Sequence, residues 1–297
     1  MRARAPWIAR ARTLTAMDFE TYRAESRDRW ERAAAGWTAT REAMQQSAAP
    51  VTMWMIDAID PQPGQTVLEL AAGLGDTGLM AAELVGPGGS VILTDGAEAM
   101  VQAAKENAAR LGATNVEARA MEAEWIDLAT ASVDGALCRW GYMLLADPEA
   151  ALRETRRVLR PDGRLALAAW DARERNPWND VLAGILDARG LAPRSTPGTP
   201  GPFAFALDGL IADLLGAAGF GEIEVGAVDF AFRASDLDAW WEHMLLTSPT
   251  LGGAVKGLSP KDHYELRDAF DAGYVQYVGE DGTLTIPART LVAAATA

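Results

Sequence analysis

Short apolar runs alternate with helical hydrophobic spacing through the middle of the chain. Each run is bounded by turn-forming residues and predicts a buried strand, because a strand that is covered on both faces is apolar throughout. Strands are predicted at residues 67–70, 90–94, 115–120, 132–140 and 164–170, and helices at residues 79–85, 98–111 and 150–159. This alternation is typical of an α/β protein with a doubly wound, mostly parallel sheet.

The segment before this core has a different pattern. Between residues 18 and 59, aromatic and apolar residues recur at three- and four-residue intervals among charges. This spacing predicts amphipathic helices that pack on the core, and we interpret residues 17–60 as an N-terminal helical segment. The first twelve residues contain four arginines and no acid. Residues 1–16 are predicted to be a disordered extension, with an address tag as the alternative.

The segments after the predicted core, which spans residues 61–171, are more heterogeneous. Residues 172–206 are rich in Pro and Gly around one amphipathic helix, and we interpret them as an insertion that caps the mouth of the site. Residues 207–297 are predicted to complete the sheet and to carry a helical insertion near residues 233–283. Pro287, within the last predicted strand, indicates an edge position or a bulge.

The turn after the first predicted strand contains the clearest ligand-binding signal. Gly73, Gly75 and Gly78 match the G-x-G-x-x-G pattern, whose glycines let a pyrophosphate approach the backbone at a helix N-terminus. Glu69 precedes Gly73 by four residues, so its carboxylate would face the bound molecule. A carboxylate there repels a pyrophosphate, but it suits the cationic amino-acid end of S-adenosylmethionine (SAM).

A second acid lies at the end of the next predicted strand. Asp95 follows Gly75 by 20 residues, at a position where a carboxylate can accept hydrogen bonds from both hydroxyls of a ribose. Because SAM and the nicotinamide cofactors both contain an adenosine ribose, the spacing predicts a ribose site and leaves the two cofactors open.

At these positions the chain resembles the class I SAM-dependent methyltransferases, whose first motif is an acid followed by small residues and glycines. Ala71 departs from the family pattern, in which glycine is usual at this position. Residues 157–167, Arg-Val-Leu-Arg-Pro-Asp-Gly-Arg-Leu-Ala-Leu, are similar to a sequence of the ubiquinone/menaquinone-biosynthesis-like (methyltransferase type 11) branch. The resemblance implies a seven-stranded Rossmann-like sheet with an antiparallel last strand, helical cap elements, and SAM as the cofactor.

The resemblance also implies which residues hold the cofactor. Glu122 occupies the position from which an acid binds the adenine amine, and the N-terminal segment is expected to fold over the cofactor. Arg139 is interpreted either as the partner of a carboxylate or as a substrate contact, and Cys138 as a small buried residue rather than a nucleophile. The predicted cofactor-binding residues are Trp37, Glu69, Ala71, Gly73, Gly75, Asp95, Gly96, Met100, Glu122, Ala123, Cys138 and Arg139.

Candidate catalytic residues follow from what methyl transfer requires. The acceptor must lie in line with the transferred methyl group, and a general base is needed only where the acceptor must lose a proton. The candidate bases are His243, on a predicted helix rich in aromatic residues, Tyr22 and Tyr142. The single cysteine excludes an internal disulfide and a cysteine-based zinc cluster, and no metal site is expected.

Composition narrows the range of partners. The net charge of −14 and the pI near 4.6 disfavour binding to nucleic acid or to an anionic membrane, which requires a basic surface. No apolar run approaches the roughly 18 to 20 residues of a membrane helix. Together with the single cysteine, these features predict a cytoplasmic protein whose partner is a small methyl acceptor, and they leave a homodimer open.

The sequence therefore predicts a SAM-dependent methyltransferase that moves a methyl group by SN2 transfer to carbon or oxygen of a small apolar or aromatic molecule. One alternative is an NAD(P)-dependent oxidoreductase that uses the glycine turn and Asp95. Glu69 and the lack of a Tyr-x-x-x-Lys dyad argue against it. The other alternative is a non-catalytic binding protein that keeps the same fold.

Overall fold

A computed structural model describes residues 16–194 and 199–297 of the 297-residue chain. Its described residues form one seven-stranded sheet in the order β3-β2-β1-β4-β5-β7-β6. The strands are β1 Thr66–Leu70, β2 Ser90–Asp95, β3 Val116–Ala120, β4 Val133–Arg139, β5 Leu159–Trp170, β6 Gly221–Ala234 and β7 Leu284–Thr296.

Helices precede the sheet, cover its faces and fill the C-terminal region. Their bounds are α1 Ala16–Ala39, α2 Arg41–Ile59, α3 Asp76–Val85, α4 Glu98–Leu111, α5 Pro148–Val158, α6 Pro177–Ala188, α7 Leu210–Ala218, α8 Leu237–Thr247, α9 Pro249–Ala254 and α10 Pro260–Tyr274. Short 3-10 turns lie at Tyr142–Leu144, Arg173–Arg175 and Val275–Tyr277. None of these described helices is both long and apolar enough to cross a membrane.

Strand pairing confirms the predicted fold class. β1 pairs in parallel with β2 on one side and with β4 on the other, so the winding of the chain reverses between β1 and β4. β7 is inserted between β5 and β6 and is antiparallel to both. Open α/β sheets bind ligands beyond the carboxyl ends of the strands where the winding reverses, which places the site next to the turn after β1.

Apolar burial explains why the central strands form. Val67, Leu68 and Leu70 of β1 are inaccessible to solvent, as expected for a strand covered by helices on both faces. Glu69 lies among them and is only 2% exposed. An acid is rarely buried to this extent without a specific role, because the charge must leave water.

Pro287 lies where the sheet is locally one strand narrower. β5 pairs with β7 only from Thr290 onward, so Pro287 has β6 as its neighbour on one side and no β5 partner on the other. On that free side Asn176 bonds both the N–H and the carbonyl of Arg289. Backbone groups two residues apart point the same way in a strand, so the missing N–H of Pro287 falls on the free side. The predicted edge position is therefore confirmed locally.

The N-terminal helices pack against the C-terminal part of the chain. Trp37 of α1 donates its indole N–H to the carbonyl oxygen of Thr247 at 3.1 Å, at the end of α8. Gly36 allows the two helices to approach closely, because a Cβ atom at this position would overlap the carbonyl oxygen of Leu246. The predicted extension over residues 1–16 falls outside the described residues except for Ala16, and the predicted domain boundaries remain predictions.

We expect Gly36→Ala to destabilise the fold despite the higher helix propensity of alanine. The added methyl group forces α1 away from α8, and overpacking of this kind typically costs about 1–3 kcal/mol. Gly216→Ala is the matched control, since a Cβ there meets only the Ile223 side chain at an ordinary 3.8 Å. The control should gain about 0.5–1 kcal/mol from propensity. Urea unfolding measures both changes, and equal stabilisation by both variants would contradict the close contact.

Candidate active site

A cavity of about 520 Å³ opens at the carboxyl ends of the parallel strands. Its wall combines the turns after β1, β2 and β4 with residues of α1 and α8, a composition and size common for ligand sites. Most of the residues singled out from the sequence border it. These are Tyr22, Trp37, Glu69, Ala71, Gly73, Asp95, Gly96, Met100, Glu122, Arg139 and His243.

The turn after β1 is held in a left-handed conformation. Ala71 and Gly73 have φ values of 48° and 54°, a region that favours glycine. Ala71 therefore adopts a conformation that explains why glycine is usual at this position. Gly141 accommodates the alanine methyl group, because a Cβ at position 141 would lie 2.5 Å from the Cβ of Ala71.

Glu69 stabilises the turn after β1 through a hydrogen bond to the backbone. Its Oε2 accepts a hydrogen bond from the backbone N–H of Gly78 at 2.7 Å. A Cβ at Gly78 would lie 2.7 Å from the same oxygen, so glycine is required there by the carboxylate. The third glycine of the G-x-G-x-x-G match thus serves Glu69, and need not serve a pyrophosphate. Burial raises the pKa of the Glu69 carboxyl to about 7, although the nearby Arg139 guanidinium opposes the shift.

Two arginines balance the acids around Glu69. Arg41 Nη2 lies 2.5 Å from Asp76 Oδ1 at the start of α3, and Arg139 donates from Nη1 to the hydroxyl of Thr52 at 3.1 Å. The Nε of Arg41 is buried and has no hydrogen-bond partner among the described residues. Two carboxylates, two guanidinium groups and one unused donor suit a zwitterionic ligand such as an amino-acid group.

Asp95 connects the turn after β1 with the start of α4. Its Oδ2 accepts from the N–H of Gly73 at 2.9 Å, and its Oδ1 accepts from the N–H of Ala97 at 3.0 Å. Burial raises the pKa of the Asp95 carboxyl to about 6, and Glu122 and Glu31 add to the shift. Each carboxylate oxygen retains a second lone pair, so the group can still accept a hydroxyl from a ligand.

Helix α1 closes one side of the cavity through residues spaced four apart. Arg23 Nε lies 3.2 Å from Glu124 Oε1, and Arg27 Nη2 lies 3.0 Å from Glu122 Oε1. Glu31 accepts from the backbone N–H groups of residues 98 and 99 at 2.6 and 3.0 Å, and so caps α4 from outside. These contacts were not predicted, although the sequence shows the spacing of three charges along one helix face.

Aromatic rings form the wall on the other side of the cavity. Trp140 stacks on Trp170 with ring centroids 4.3 Å apart and an interplanar angle of 12°. Trp178 contacts Trp170 and Phe232 with centroids 4.7 and 5.5 Å apart, and Phe232 contacts Trp240 at 5.9 Å. We call these five residues the aromatic wall. All of them border the cavity.

Comparison with known proteins identifies the family. A family model described as a methyltransferase domain matches residues 61–187. Nocamycin O-methyltransferase of Saccharothrix syringae is 34% identical over 208 residues, which cover 64% of this chain and 71% of that protein. The chain belongs to the SAM-dependent methyltransferases. The predicted enzyme class and cofactor are thereby confirmed, and the oxidoreductase and non-catalytic alternatives are set aside.

Two further proteins are similar to this methyltransferase, one in sequence and one in structure. The ubiquinone/menaquinone biosynthesis C-methyltransferase UbiE of Hahella chejuensis is 34% identical over 133 residues, 44% of this chain and 52% of that protein. The chain thus spans about half the length of that relative. The YcgJ protein from Bacillus subtilis has a TM-score of 0.54 at 18% identity, covering 82% of this chain and 97% of that chain, and shows the shared fold.

Four predicted site residues of the methyltransferase do not border the cavity. Tyr142 is 1% exposed, and its hydroxyl is hydrogen-bonded to Thr155 Oγ1 at 2.7 Å, because the 3-10 turn after β4 directs it into the core. Cys138 points away because neighbouring residues of a strand face opposite sides and Arg139 faces the cavity. Ala123 is buried in the core, and Gly75 is the residue that caps the N-terminus of α3.

The two remaining candidate bases border the cavity, but neither is an effective base at pH 7. The ring of His243 stacks on Trp240 with centroids 5.1 Å apart, and burial lowers the pKa of its imidazole to about 4. The Tyr22 hydroxyl donates to the carbonyl oxygen of Leu144 at 2.9 Å, and burial raises its pKa. His243 is therefore neutral at pH 7, and Tyr22 is protonated.

We expect the affinity of the methyltransferase for S-adenosylhomocysteine to fall as the pH decreases from 8 to 6. Only the ionised carboxylate of Glu69 attracts the ligand ammonium, and its pKa of about 7 means that protonation removes this attraction across that range. Calorimetric titration at several pH values measures the effect. Glu69→Gln should bind more weakly, with a flatter profile near pH 7. A variant profile as steep as that of the wild type would contradict the pairing.

The same substitution should stabilise the unliganded protein at pH 8. The pKa of Glu69 rises from 4.5 to about 7 on folding, so the stability that depends on its protonation is fully present below pH 4.5 and is lost as the pH rises from 4.5 to about 7. Gln can still accept the Gly78 N–H but carries no charge. We expect a gain of up to about 3 kcal/mol at pH 8 and little difference at pH 4.5. Urea unfolding that shows a similar difference at both pH values would contradict burial of the charge.

Proposed function

We propose that this methyltransferase transfers the methyl group of SAM to an oxygen or carbon atom of a flat aromatic or conjugated small molecule. The observation that carries the proposal is the aromatic wall, which lies in the same cavity as Glu69 and Asp95. Stacked indole and phenyl rings present an extensive apolar surface, and flat aromatic ligands bind such surfaces well.

The cofactor part of the cavity suits SAM residue by residue. Glu69 would pair with the ammonium group, and the free Nε of Arg41 would donate to the carboxylate. Asp95 would accept the ribose hydroxyls, and Glu122 would accept the adenine amine. SAM supplies a methyl group already activated on a sulfonium sulfur, so the described residues need to bind and orient rather than to activate the donor.

The acceptor part of the cavity differs in chemistry from the cofactor part. The five rings of the aromatic wall are apolar, and the neutral His243 stacks on Trp240. The Arg139 guanidinium contacts the wall at Trp140, with its carbon 5.0 Å from the ring centroid. This contrast supports an acceptor that is apolar over most of its surface. The relatives include a nocamycin O-methyltransferase and a ubiquinone/menaquinone C-methyltransferase, and both oxygen and carbon are therefore retained as target atoms.

Positioning would supply most of the rate enhancement. Holding the acceptor atom in line with the methyl group replaces a bimolecular encounter by a fixed geometry. With a pKa of about 4, His243 is too weak a base to remove a proton from a neutral alcohol efficiently, but it can donate or accept a hydrogen bond that orients the acceptor. Rigid Trp side chains are well suited to this orienting role.

We expect Trp178→Ala to weaken acceptor binding about tenfold without changing the affinity for S-adenosylhomocysteine. Trp178 contacts two other rings of the wall and starts α6, so its removal opens the acceptor part and leaves the cofactor part intact. A tenfold change corresponds to about 1.4 kcal/mol, within the range for one aromatic contact. Trp125→Ala is the matched control, because Trp125 is 58% exposed and lies outside this cavity.

Turnover of flat phenols tests the function itself. The protein would be incubated with SAM and a panel such as 2-naphthol and hydroxycoumarins, and methylated products would be detected by their mass. Product formation that depends on Asp95 and on Trp178 would support the proposal. Turnover of aliphatic or highly polar acceptors together with no binding of any flat aromatic compound would overturn the assigned acceptor class.

A further inference from the structure

A stripe of polar residues on α1 borders the cavity. It lies beside the α1 arginines that form ion pairs with acids of the core. Tyr22, Ser26 and Arg29 all border the cavity, and their spacing of four and three residues puts them on one helix face. The guanidinium carbon of Arg29 lies 5.4 Å from the centre of the Tyr22 ring. The proposed function does not use this stripe.

The helix geometry places Arg29 at the cavity between the turn after β4 and α8, which contribute Trp140 and Trp240 to the aromatic wall. Residues seven apart in a helix lie almost directly above one another, so Tyr22, Arg29 and Gly36 form one line along α1. Tyr22 at one end bonds the carbonyl of Leu144, in the turn after β4. Gly36 at the other end contacts the carbonyl of Leu246, in α8. Arg29 lies between these two points.

Arg29 also differs in charge balance from the other arginines of α1 and α2 that border the cavity. Arg23, Arg27 and Arg41 each have a carboxylate within 4.0 Å. Among the side chains that the structure describes, those of residues 19–194 and 199–297, no carboxylate oxygen comes within that distance of Arg29. The Arg29 guanidinium is half-buried at a ligand cavity, in a chain of net charge −14. Its planar set of hydrogen-bond donors is therefore available to an anionic ligand.

We propose that Arg29 binds an anionic oxygen group of the methyl acceptor, such as a carboxylate or an ionised enol. The inference rests on the proposed function, since it assumes that the aromatic wall takes a flat acceptor, and it adds a charged end to that acceptor. The planar guanidinium can donate two parallel hydrogen bonds to such a group. Arg29 is thus a specificity-determining residue.

The test measures binding of matched ligands to the complex with S-adenosylhomocysteine at pH 7.5. One pair is 2-naphthoate and the neutral 2-naphthamide, and the other is 4-hydroxycoumarin, ionised at this pH, and the neutral coumarin. We expect at least one anion to bind at least tenfold more tightly than its neutral counterpart. The pair that shows the preference distinguishes a carboxylate from an enolate.

Variants assign that preference to Arg29. In Arg29→Gln the anion and its neutral counterpart should bind equally, and Arg29→Lys should restore part of the difference by restoring the charge. Arg32→Gln is the matched control, since Arg32 is an exposed arginine of the same helix that does not border the cavity. It should keep the full preference. Affinity for S-adenosylhomocysteine and the unfolding midpoint should be unchanged in all three variants.

Contrary results separate this inference from the proposed function. If the neutral ligands bind as tightly as the anions in the wild type, and Trp178→Ala weakens them, the role of Arg29 is overturned while the flat acceptor stands. A wild-type preference that survives in Arg29→Gln also overturns the assignment to Arg29. If none of the four ligands binds the complex, both proposals are overturned.

Discussion

Burial of the Glu69 carboxylate is the constraint on which the site depends. An acid in the central strand of an apolar sheet must find partners inside the protein, because water no longer solvates its charge. The backbone N–H of Gly78 and the nearby Arg139 supply them. Gly78 must be glycine to leave room for the carboxylate, and Asp76 then needs its own partner in Arg41. A group that resists full ionisation in the free protein is well placed to respond to a ligand ammonium.

Helix α1 and the carboxyl ends of the strands form the cavity together. One of its faces binds the acids Glu124 and Glu122 through Arg23 and Arg27 and caps α4 through Glu31, and the neighbouring stripe borders the cavity. The exposed Arg27–Glu122 pair contributes little to stability by itself, whereas the Arg23–Glu124 pair is largely buried. Here their number and fixed spacing set the rotation of the helix, while the close approach at Gly36 sets its distance from α8. The same helix therefore shapes both halves of the cavity.

Sequence patterns predicted the parts of the molecule that are determined by residues close together in the chain. The strands of the core and the acids at their ends follow from apolar runs, turns and spacing, because parallel strands bring their carboxyl ends to one edge of the sheet. The prediction that Tyr142 faces the cavity was wrong, because a 3-10 turn rotates its side chain into the core. Hydrophobic patterns in the sequence do not reveal such a turn. The aromatic wall was not predicted as a unit, since the turn after β4, then β5, α6, β6 and α8 each contribute one ring.

Backbone strain at two points of the cavity has a common explanation. Ala71 and Trp140 both have left-handed φ values, 48° and 62°, although neither is glycine. Such conformations cost of the order of 1–3 kcal/mol each, and they persist only where the surroundings determine them. Trp140 is held by stacking on Trp170 and by its indole N–H, which donates to Thr290 Oγ1 at 3.1 Å. Ala71 is held by the bonded turn around it, with Gly141 leaving space for its methyl group. The strain lies at the ends of β1 and β4, and both strained residues border the cavity, so it fixes the direction of side chains where a ligand would bind.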